Sequence, residues 1–437
     1  MTLPSVFRTR LTHLTAFFRS TGQRAMSSTT VQKTMNGDRS NLIPLSSRLR
    51  EGRALALDVW SIYNAANLPA DCINLGQGYM NFPPPKWVTD AADEALKTTP
   101  ANHYSHPKGR IRLRQAIKNF YEASFNRSLD IETEILVTSG ANEGQYSVFT
   151  AFLEQGDEVI MFEPFFDQYL PSVTFNGGKP VYVPLHPHTE GDNPTSNDWK
   201  IDFDELRRAI TPRAKMIILN TPHNPVGKVF RKDELEQLAA IAEEFNLLVM
   251  ADEVYDCLVY DGQEHIRIAN LPGMWDRTVT VFSAGKAFAA TGWRIGWLVG
   301  PPSIIQPTLA ATTRIVFCTN SPLQEAAAAG LEEAQERGFF AVQNQEYQDR
   351  RDVLLRAFDQ IGLKYTQPEG SYFILLVHRF QKMLRLPTLT HWCRMYPEFN
   401  FQKIILSRRV STDEVVTSTN EIGVSSIPVS EVGGVSI

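Results

Sequence analysis

Short, continuous apolar runs recur along the chain from about residue 132, and they limit the folds that this sequence can adopt. The runs lie at 135–137, 159–162, 216–219, 247–250, 279–282 and 295–299. Because they do not alternate with polar residues, they are typical of strands that are buried on both faces. Helical patterns separate them, and in 233–245 the apolar residues on one helical face are Leu235, Leu238, Ala242 and Phe245. This order predicts an α/β fold with a mostly parallel sheet flanked by helices.

The composition is that of an ordinary globular protein. Of its residues, 43% are hydrophobic and 21% are charged. The length of 437 residues predicts one large domain with a smaller one, or two to three small domains. The net charge of -5 implies no basic face for nucleic acid, and no apolar run is long enough to cross a membrane. The four cysteines form no CxxC pair, so neither a disulfide framework nor a structural zinc site is expected.

The N-terminal segment differs from the rest of the chain. No acidic residue precedes Asp38, whereas Arg, Lys, Ser and Thr are frequent. This composition predicts that residues 1–37 form a mitochondrial transit segment, and a plain disordered tail is the alternative. Translation from Met26 would give a cytosolic form.

Polar or glycine-containing segments directly follow five of the apolar runs. They occupy 139–142, 163–167, 220–225, 252–255 and 283–286. In a sheet of this kind, ligands bind beyond the carboxyl ends of the strands. The recurrence of functional groups at these ends predicts one site that several strands share.

Lys286 is the central residue of that predicted site. It follows an apolar run and a Ser-Ala-Gly turn. A lysine held among apolar groups has a lowered pKa and can form a Schiff base with pyridoxal 5′-phosphate. That cofactor also requires a carboxylate against its pyridine nitrogen, and Asp252 lies at the end of another predicted strand. For Asp252 alone a helix N-cap is the favoured interpretation, but beside Lys286 the role of pyridine partner is favoured.

Other residues at the strand ends suit the remaining parts of the cofactor. Asn224 and Tyr255 could donate hydrogen bonds to its 3′-oxygen, although Asn224 before proline could mark only a turn. Phe166 is a candidate for stacking on the ring, with a core phenylalanine as the alternative. The phosphate requires helix N-terminal amides, hydroxyls and a cation; the candidates are Gly140, Ala141, Asn142, Ser283 and Arg294.

Three longer strings carry a family resemblance. Residues 251–255 read Ala-Asp-Glu-Val-Tyr, residues 220–230 begin Asn-Thr-Pro-His-Asn-Pro, and residues 283–297 begin Ser-Ala-Gly-Lys. They resemble class I aminotransferases of the fold-type I pyridoxal phosphate group over roughly 45–375. Within that group the chain looks most like the branch of kynurenine aminotransferase, glutamine transaminase K and cysteine-S-conjugate β-lyase.

The resemblance implies roles for matching positions. Lys286 would carry the proton during amino transfer, and Tyr104 would reach the phosphate of the partner subunit in a homodimer. Gly78 and Asn220 would contact the substrate carboxylate, and Trp60 would line the side-chain pocket. The implied reaction exchanges an amino group between an amino acid (kynurenine, aromatic, glutamine or sulfur-containing) and a 2-oxo acid, with β-lyase activity on cysteine conjugates as a neighbouring reaction.

The C-terminal part departs from this resemblance. The predicted boundaries are an N-terminal arm at 38–85, a large cofactor-binding domain at 86–335 and a small α+β domain at 336–437 that is atypical from about 378. The family carries a substrate-carboxylate arginine in the small domain, and Arg408 and Arg409 lack its context. A truncated, weakly active cofactor-binding protein is therefore the alternative function.

Overall fold

The computed structural model describes residues 78, 80–187, 194–377 and 432–436. Trp60, Arg408, Arg409 and the predicted transit segment lie outside the described residues. The helices are α1 Lys86–Leu96, α2 Ile111–Tyr121, α3 Ala141–Phe152, α4 Tyr169–Phe175, α5 Phe203–Ala209, α6 Lys232–Glu244, α7 Ala284–Ala287, α8 Pro302–Ile315, α9 Ser321–Ala334 and α10 Phe339–Ile361. The strands are β1 Ile135–Thr138, β2 Glu158–Glu163, β3 Lys179–Pro187, β4 Trp199–Ile201, β5 Ala214–Asn220, β6 Leu248–Asp252, β7 Thr278–Ser283, β8 Gly296–Val299, β9 Lys364–Thr366, β10 Phe373–Val377 and β11 Val432–Ser436.

An eight-stranded sheet forms the centre of the fold, in the order β1-β8-β7-β6-β5-β2-β3-β4. The pairs β7/β6, β6/β5, β5/β2 and β2/β3 are parallel. Only β8 and β4 run against them, because β8 pairs antiparallel with both of its neighbours and β4 pairs antiparallel with β3. The predicted α/β fold with a mostly parallel sheet is therefore confirmed.

The apolar runs are continuous because both faces of the sheet are covered. In β2, Ile160 and Phe162 belong to one buried cluster, whereas Val159 and Met161 belong to another. Successive side chains of a strand point to opposite faces, so a strand between two helical layers needs apolar residues at every position.

Helix α6 shows how the amphipathic pattern is used. Leu235, Leu238 and Ala242 are fully buried against the sheet, as the pattern predicts. Phe245 differs, since it is 36% exposed. Its backbone N–H still closes the last turn on Ile241, but its φ of -98° lies outside the helical region, so the regular spacing of the buried face ends before it.

A second, three-stranded antiparallel sheet has the order β11-β10-β9. Strand β10 lies in the middle, and five residue pairs join it to β11. Long helix α10 leads into this sheet, and its residues Leu354 and Phe358 pack on Tyr365 and Ile374. The domain boundaries at 38, 86 and 336 stay predictions.

Gly296 is required where β8 passes the start of α3. A Cβ atom at Gly296 would lie 2.6 Å from the backbone nitrogen of Ala141 and 2.8 Å from the carbonyl oxygen of Phe282. Backbone atoms cannot rotate away as a side chain can, so the close packing of strand and helix depends on the missing methyl group.

We expect Gly296→Ala to lower the free energy of unfolding by roughly 1–3 kcal/mol, because the added methyl forces β8 and α3 apart. Urea unfolding followed by circular dichroism measures this change. Gly292→Ala is the matched control, since apart from its chain neighbours no described residue places a heavy atom within 4 Å of the added Cβ. Equal stability of the two variants would contradict the packing argument.

Candidate active site

Six strands of the central sheet, namely β1, β2, β3, β5, β6 and β7, have their carboxyl ends at one edge, and predicted site residues follow five of them, all except β3. Strands β2, β5, β6 and β7 are mutually parallel, and β1 has the same direction because both β1 and β7 run antiparallel to β8. The segments that follow these strands contain most of the predicted site residues. The direction of the strands thus gathers side chains that are far apart in the sequence.

Asp252, the last residue of β6, is buried with an asymmetric set of hydrogen bonds. Its Oδ2 accepts hydrogen bonds from Gln145 Nε2 at 2.7 Å and from Tyr169 Oη at 2.6 Å. Its Oδ1 accepts only a 3.4 Å contact from the backbone N–H of Val254 within the described part of the chain. A turn follows Asp252, so it is not a helix N-cap. Burial raises the pKa of the carboxyl, and these donors and Lys286 oppose that rise.

Lys286 lies in the short helix α7 directly after β7. Its Nζ donates hydrogen bonds to Tyr372 Oη and, at 3.2 Å, to the carbonyl oxygen of Gly78. Burial lowers the pKa of the amino group to about 8; the Asp252 carboxylate opposes this effect and the Arg294 cation adds to it. The amine is therefore half neutral, and able to act as a nucleophile or base, at about pH 8.

Asn220 and Asn224 align the ends of β5 and β6. Asn220 Nδ2 donates to the carbonyl oxygen of Asp252 at 2.9 Å, and Asn220 Oδ1 accepts from the backbone N–H of Asn224 at 2.6 Å. Both the nitrogen and the oxygen of the Asn220 side-chain amide thus form hydrogen bonds within the protein. The half-buried Asn224 side chain makes no hydrogen bond to another described residue. Tyr255 follows in the turn after β6, with Lys286 Nζ 5.6 Å from its ring centroid.

The N-terminus of α3 and Arg294 form a positively charged corner. Gly140 caps α3 with a φ of +82°, which favours glycine, and a Cβ there would lie 2.3 Å from Arg294 Nη2. Ala141 and the exposed Asn142 form the first helical residues. Ser283 occupies the N-cap position of α7 at the end of β7 and pairs in register with Gly296, where an added Cβ atom would lie 2.6 Å from the backbone nitrogen of Ala141. The helix dipole and the guanidinium together suit a phosphate group.

Of the remaining predicted residues, Gly78 contacts Lys286 directly, whereas Phe166 and Tyr104 make their ring contacts with other residues. Phe166 is half-buried and packs its ring edge-on against Tyr169, with ring centroids 5.5 Å apart. Tyr104 is 84% exposed and contacts Phe317 rather than the site of its own chain. Gly78 contributes the carbonyl oxygen that accepts from Lys286.

Three residues that contact Asp252 or Lys286 were not predicted from the sequence. Gln145 and Tyr169 hold Asp252, and Tyr372 contacts Lys286. Gln145 lies one helical turn after Ala141, which is a weak local signal for a residue that faces the site. Tyr169 and Tyr372 have no local signal in the sequence, because their partners are 83 and 86 residues away.

A match to a known protein family identifies the class of enzyme that has this site. The model described as "Aminotransferase class I and II" matches residues 70–388, which include every strand of the central sheet and Lys286. The chain belongs to the class I and II aminotransferases. Enzymes of this class use pyridoxal 5′-phosphate, and the low-pKa lysine opposite a buried carboxylate is the arrangement expected for that cofactor.

Similar aminotransferases cover most of the chain. The probable kynurenine–oxoglutarate transaminase of Saccharomyces cerevisiae is 40% identical over 389 residues, which span 86% of this chain and 84% of that protein. The kynurenine–oxoglutarate transaminase of Dictyostelium discoideum is 41% identical and covers 72% of this chain and 75% of its own length. The crystal structure of Bna3p from Saccharomyces cerevisiae superposes with a TM-score of 0.76 at 35% identity, over 90% of this chain and 94% of that one.

Two other kinds of feature are absent from the part of the chain that the structure describes. No cluster of three or more His, Cys, Asp or Glu side chains there could hold a metal ion. None of the helices in the described ranges is long and apolar enough to cross a membrane.

The lowered pKa of Lys286 predicts its reactivity in the protein without cofactor. Below pH 8 the amine is mostly protonated and inert, so its modification by an amine reagent should reach half of its maximal rate at about pH 8. The modification rate of free Nα-acetyl-lysine should reach half of its maximum at about pH 10.4. Peptide mass spectrometry after timed labelling measures both rates.

Asp252→Asn provides the control for this titration. Removing the carboxylate that favours the ammonium should move the midpoint of Lys286 below that of the unaltered protein. A midpoint of the unaltered protein near that of free lysine would show that burial does not tune this amine.

Proposed function

We propose that this aminotransferase moves the amino group of kynurenine to a 2-oxo acid such as 2-oxoglutarate, with pyridoxal 5′-phosphate held by Lys286. One amino acid becomes its 2-oxo acid while a second 2-oxo acid becomes its amino acid, so nitrogen and electrons balance over the cycle. The observation that carries the reaction type is that Lys286 and Asp252 lie at the same carboxyl edge of the sheet, near enough for each charge to shift the pKa of the other. The names of the similar yeast and Dictyostelium proteins support the choice of kynurenine.

The residues at the edge fit this cofactor. Asp252 Oδ1, with its single long contact, is available to accept a hydrogen bond from a pyridinium N–H. Arg294 and the N-terminus of α3 match a phosphate, and the half-buried amide of Asn224 can donate to a phenolic oxygen. Pyridoxal 5′-phosphate supplies an aldehyde that bonds to amino groups and a ring that accepts electrons.

The side chains of the protein provide binding and proton transfer. Gln145 and Tyr169 keep Asp252 in one orientation and favour its ionised form. Lys286, with a pKa of about 8, can take up a proton at Nζ and give it back within the same site. The burial of Asp252 and Tyr255 excludes water from this part of the site, which strengthens the attraction between charges.

The alternative of a truncated, weakly active binding protein is not favoured. The similar proteins are named as transaminases, and the chain covers 84% of the yeast protein and 75% of the Dictyostelium protein. The lysine, its opposing carboxylate and the cationic corner are all assembled in the described part of the chain.

Kynurenine-dependent formation of glutamate from 2-oxoglutarate tests the proposed function. The protein supplied with pyridoxal 5′-phosphate should form glutamate, and Lys286→Ala should lower kcat by roughly 10²–10⁴-fold or more, because the proton carrier is lost. Lys215→Ala, which removes an exposed lysine of β5, should leave kcat unchanged. Turnover with other amino donors but none with kynurenine would overturn the proposed substrate and leave the reaction type intact.

We also propose a homodimer in which Tyr104 completes the site of the partner. Its 84% exposure and its contact with the half-exposed Phe317 place an aromatic surface outside the chain's own site. A closed, twofold arrangement would bring each Tyr104 to the other copy.

Mixing two inactive variants tests this shared site. Lys286→Ala and Tyr104→Ala proteins, refolded together, should recover about a quarter of the activity of the unaltered protein, because half of the dimers are hybrids with one intact site each. Absence of recovery, with each protein sedimenting as a monomer, would refute the shared site.

A further inference from the structure

The hydroxyl of Tyr372 joins three groups of the candidate site. It accepts hydrogen bonds from Lys286 Nζ and, at 3.4 Å, from Tyr255 Oη, and it donates one to the carbonyl oxygen of Gly78 at 2.9 Å. A phenol has one proton and two acceptor positions, so this hydroxyl is fully used. The same Gly78 carbonyl also accepts from Lys286, which closes a small ring of hydrogen bonds around the amine.

The ring of Tyr372 is held so that its hydroxyl has little freedom. The residue is 1% exposed and packs edge-on against Tyr255, with centroids 5.0 Å apart, and nearly parallel to Tyr347 at 6.2 Å. Ser371, just before it, has a φ of +58°, and its backbone N–H donates to the carbonyl oxygen of Leu258 at 3.0 Å. Both the ring and its backbone are therefore anchored before Lys286 makes its contact.

The charged and titratable surroundings of the Lys286 amine come from several elements. Asp252 acts on it from the end of β6, and Arg294 acts from the segment between α7 and β8. Tyr255 lies in the turn after β6, and Tyr372 lies just before β10. Tyr372 is the member of this group that accepts a hydrogen bond directly from Nζ.

We propose that Tyr372 is a positioning residue of the reaction. Its hydroxyl, together with the Gly78 carbonyl, holds the amino group of Lys286 in one place whenever that nitrogen carries its protons. This inference rests on the proposed function only for the role of Lys286 as proton carrier. Tyr372 thereby couples the segment before β10 to the helix α7 that carries the lysine.

Removing this hydroxyl has two physical consequences. The ammonium form of Lys286 loses an acceptor, so protonation becomes less favourable and the pKa of the amine falls. The nitrogen also loses one of its two fixed contacts, so the fraction of molecules with the correct geometry for proton transfer decreases.

The test is the labelling titration of Lys286 in the cofactor-free Tyr372→Phe protein. We expect its midpoint to fall by roughly half a unit to one unit, which corresponds to the loss of one hydrogen bond. We also expect kcat to fall roughly tenfold, with the KM for both substrates changed by less than about twofold.

Tyr347→Phe is the matched control. The Tyr347 hydroxyl is buried in the same aromatic cluster and has no hydrogen-bond partner among the described residues. Its removal should change neither the Lys286 midpoint nor kcat. If Tyr372→Phe behaves like Tyr347→Phe in both measurements, the proposal is wrong.

If Tyr372→Phe shows no cooperative unfolding and is therefore not folded, a second variant tests the proposal. Incorporation of 3-fluorotyrosine at position 372 keeps the ring and makes the hydroxyl a weaker acceptor, so a smaller downward shift of the Lys286 midpoint is expected. An unchanged midpoint would overturn the proposal. The titration requires neither cofactor nor substrate, so its outcome is separate from that of the kynurenine assay.

Discussion

A carboxylate buried at the end of β6 ties together the elements around the site. Removing Asp252 from water is tolerated because hydrogen-bond donors replace the solvent. Gln145 and Tyr169 supply these donors from α3 and α4. The carbonyl oxygen of the same residue accepts from Asn220 Nδ2 and from the backbone N–H of Thr221, so the end of β5 is attached as well. Three elements thus depend on one acidic residue.

The turn that follows Asp252 is anchored from a second buried cluster. Glu253 accepts a hydrogen bond from Arg267, whose other Nη donates to Asp256 at 2.8 Å. One guanidinium therefore spans the turn from its first residue to its fourth and neutralises both acids. Tyr255 lies between them and supports Tyr372 and Lys286. The site is thus rigid on the side of β6 before any ligand binds, which lowers the cost of binding.

The sequence predicted the fold and most of the strand-end residues because these follow from local patterns. Continuous apolar runs indicate strands covered on both faces, and the segments after them identify the residues at one edge. Phe245 shows the limit of this reasoning, since it has helical spacing but lies just beyond the end of α6. The roles of Tyr169 and Tyr372 could not be predicted in this way, because a contact between residues more than 80 positions apart produces no local sequence pattern.

The amino-acid sequence by itself determined which chemical groups are present and in which order the strands present them. Lys286, Asp252 and Arg294 could be named from their positions after apolar runs or turns, and the family followed from the strings around them. The tertiary structure decided what those groups can do. Among the described residues it left one oxygen of Asp252 with a single long contact, and it removed the amino group of the half-buried Lys286 far enough from water for its pKa to fall to about 8. The physical reason is that hydrogen-bond saturation and desolvation depend on neighbours from other elements, which only the packing of the whole chain brings together.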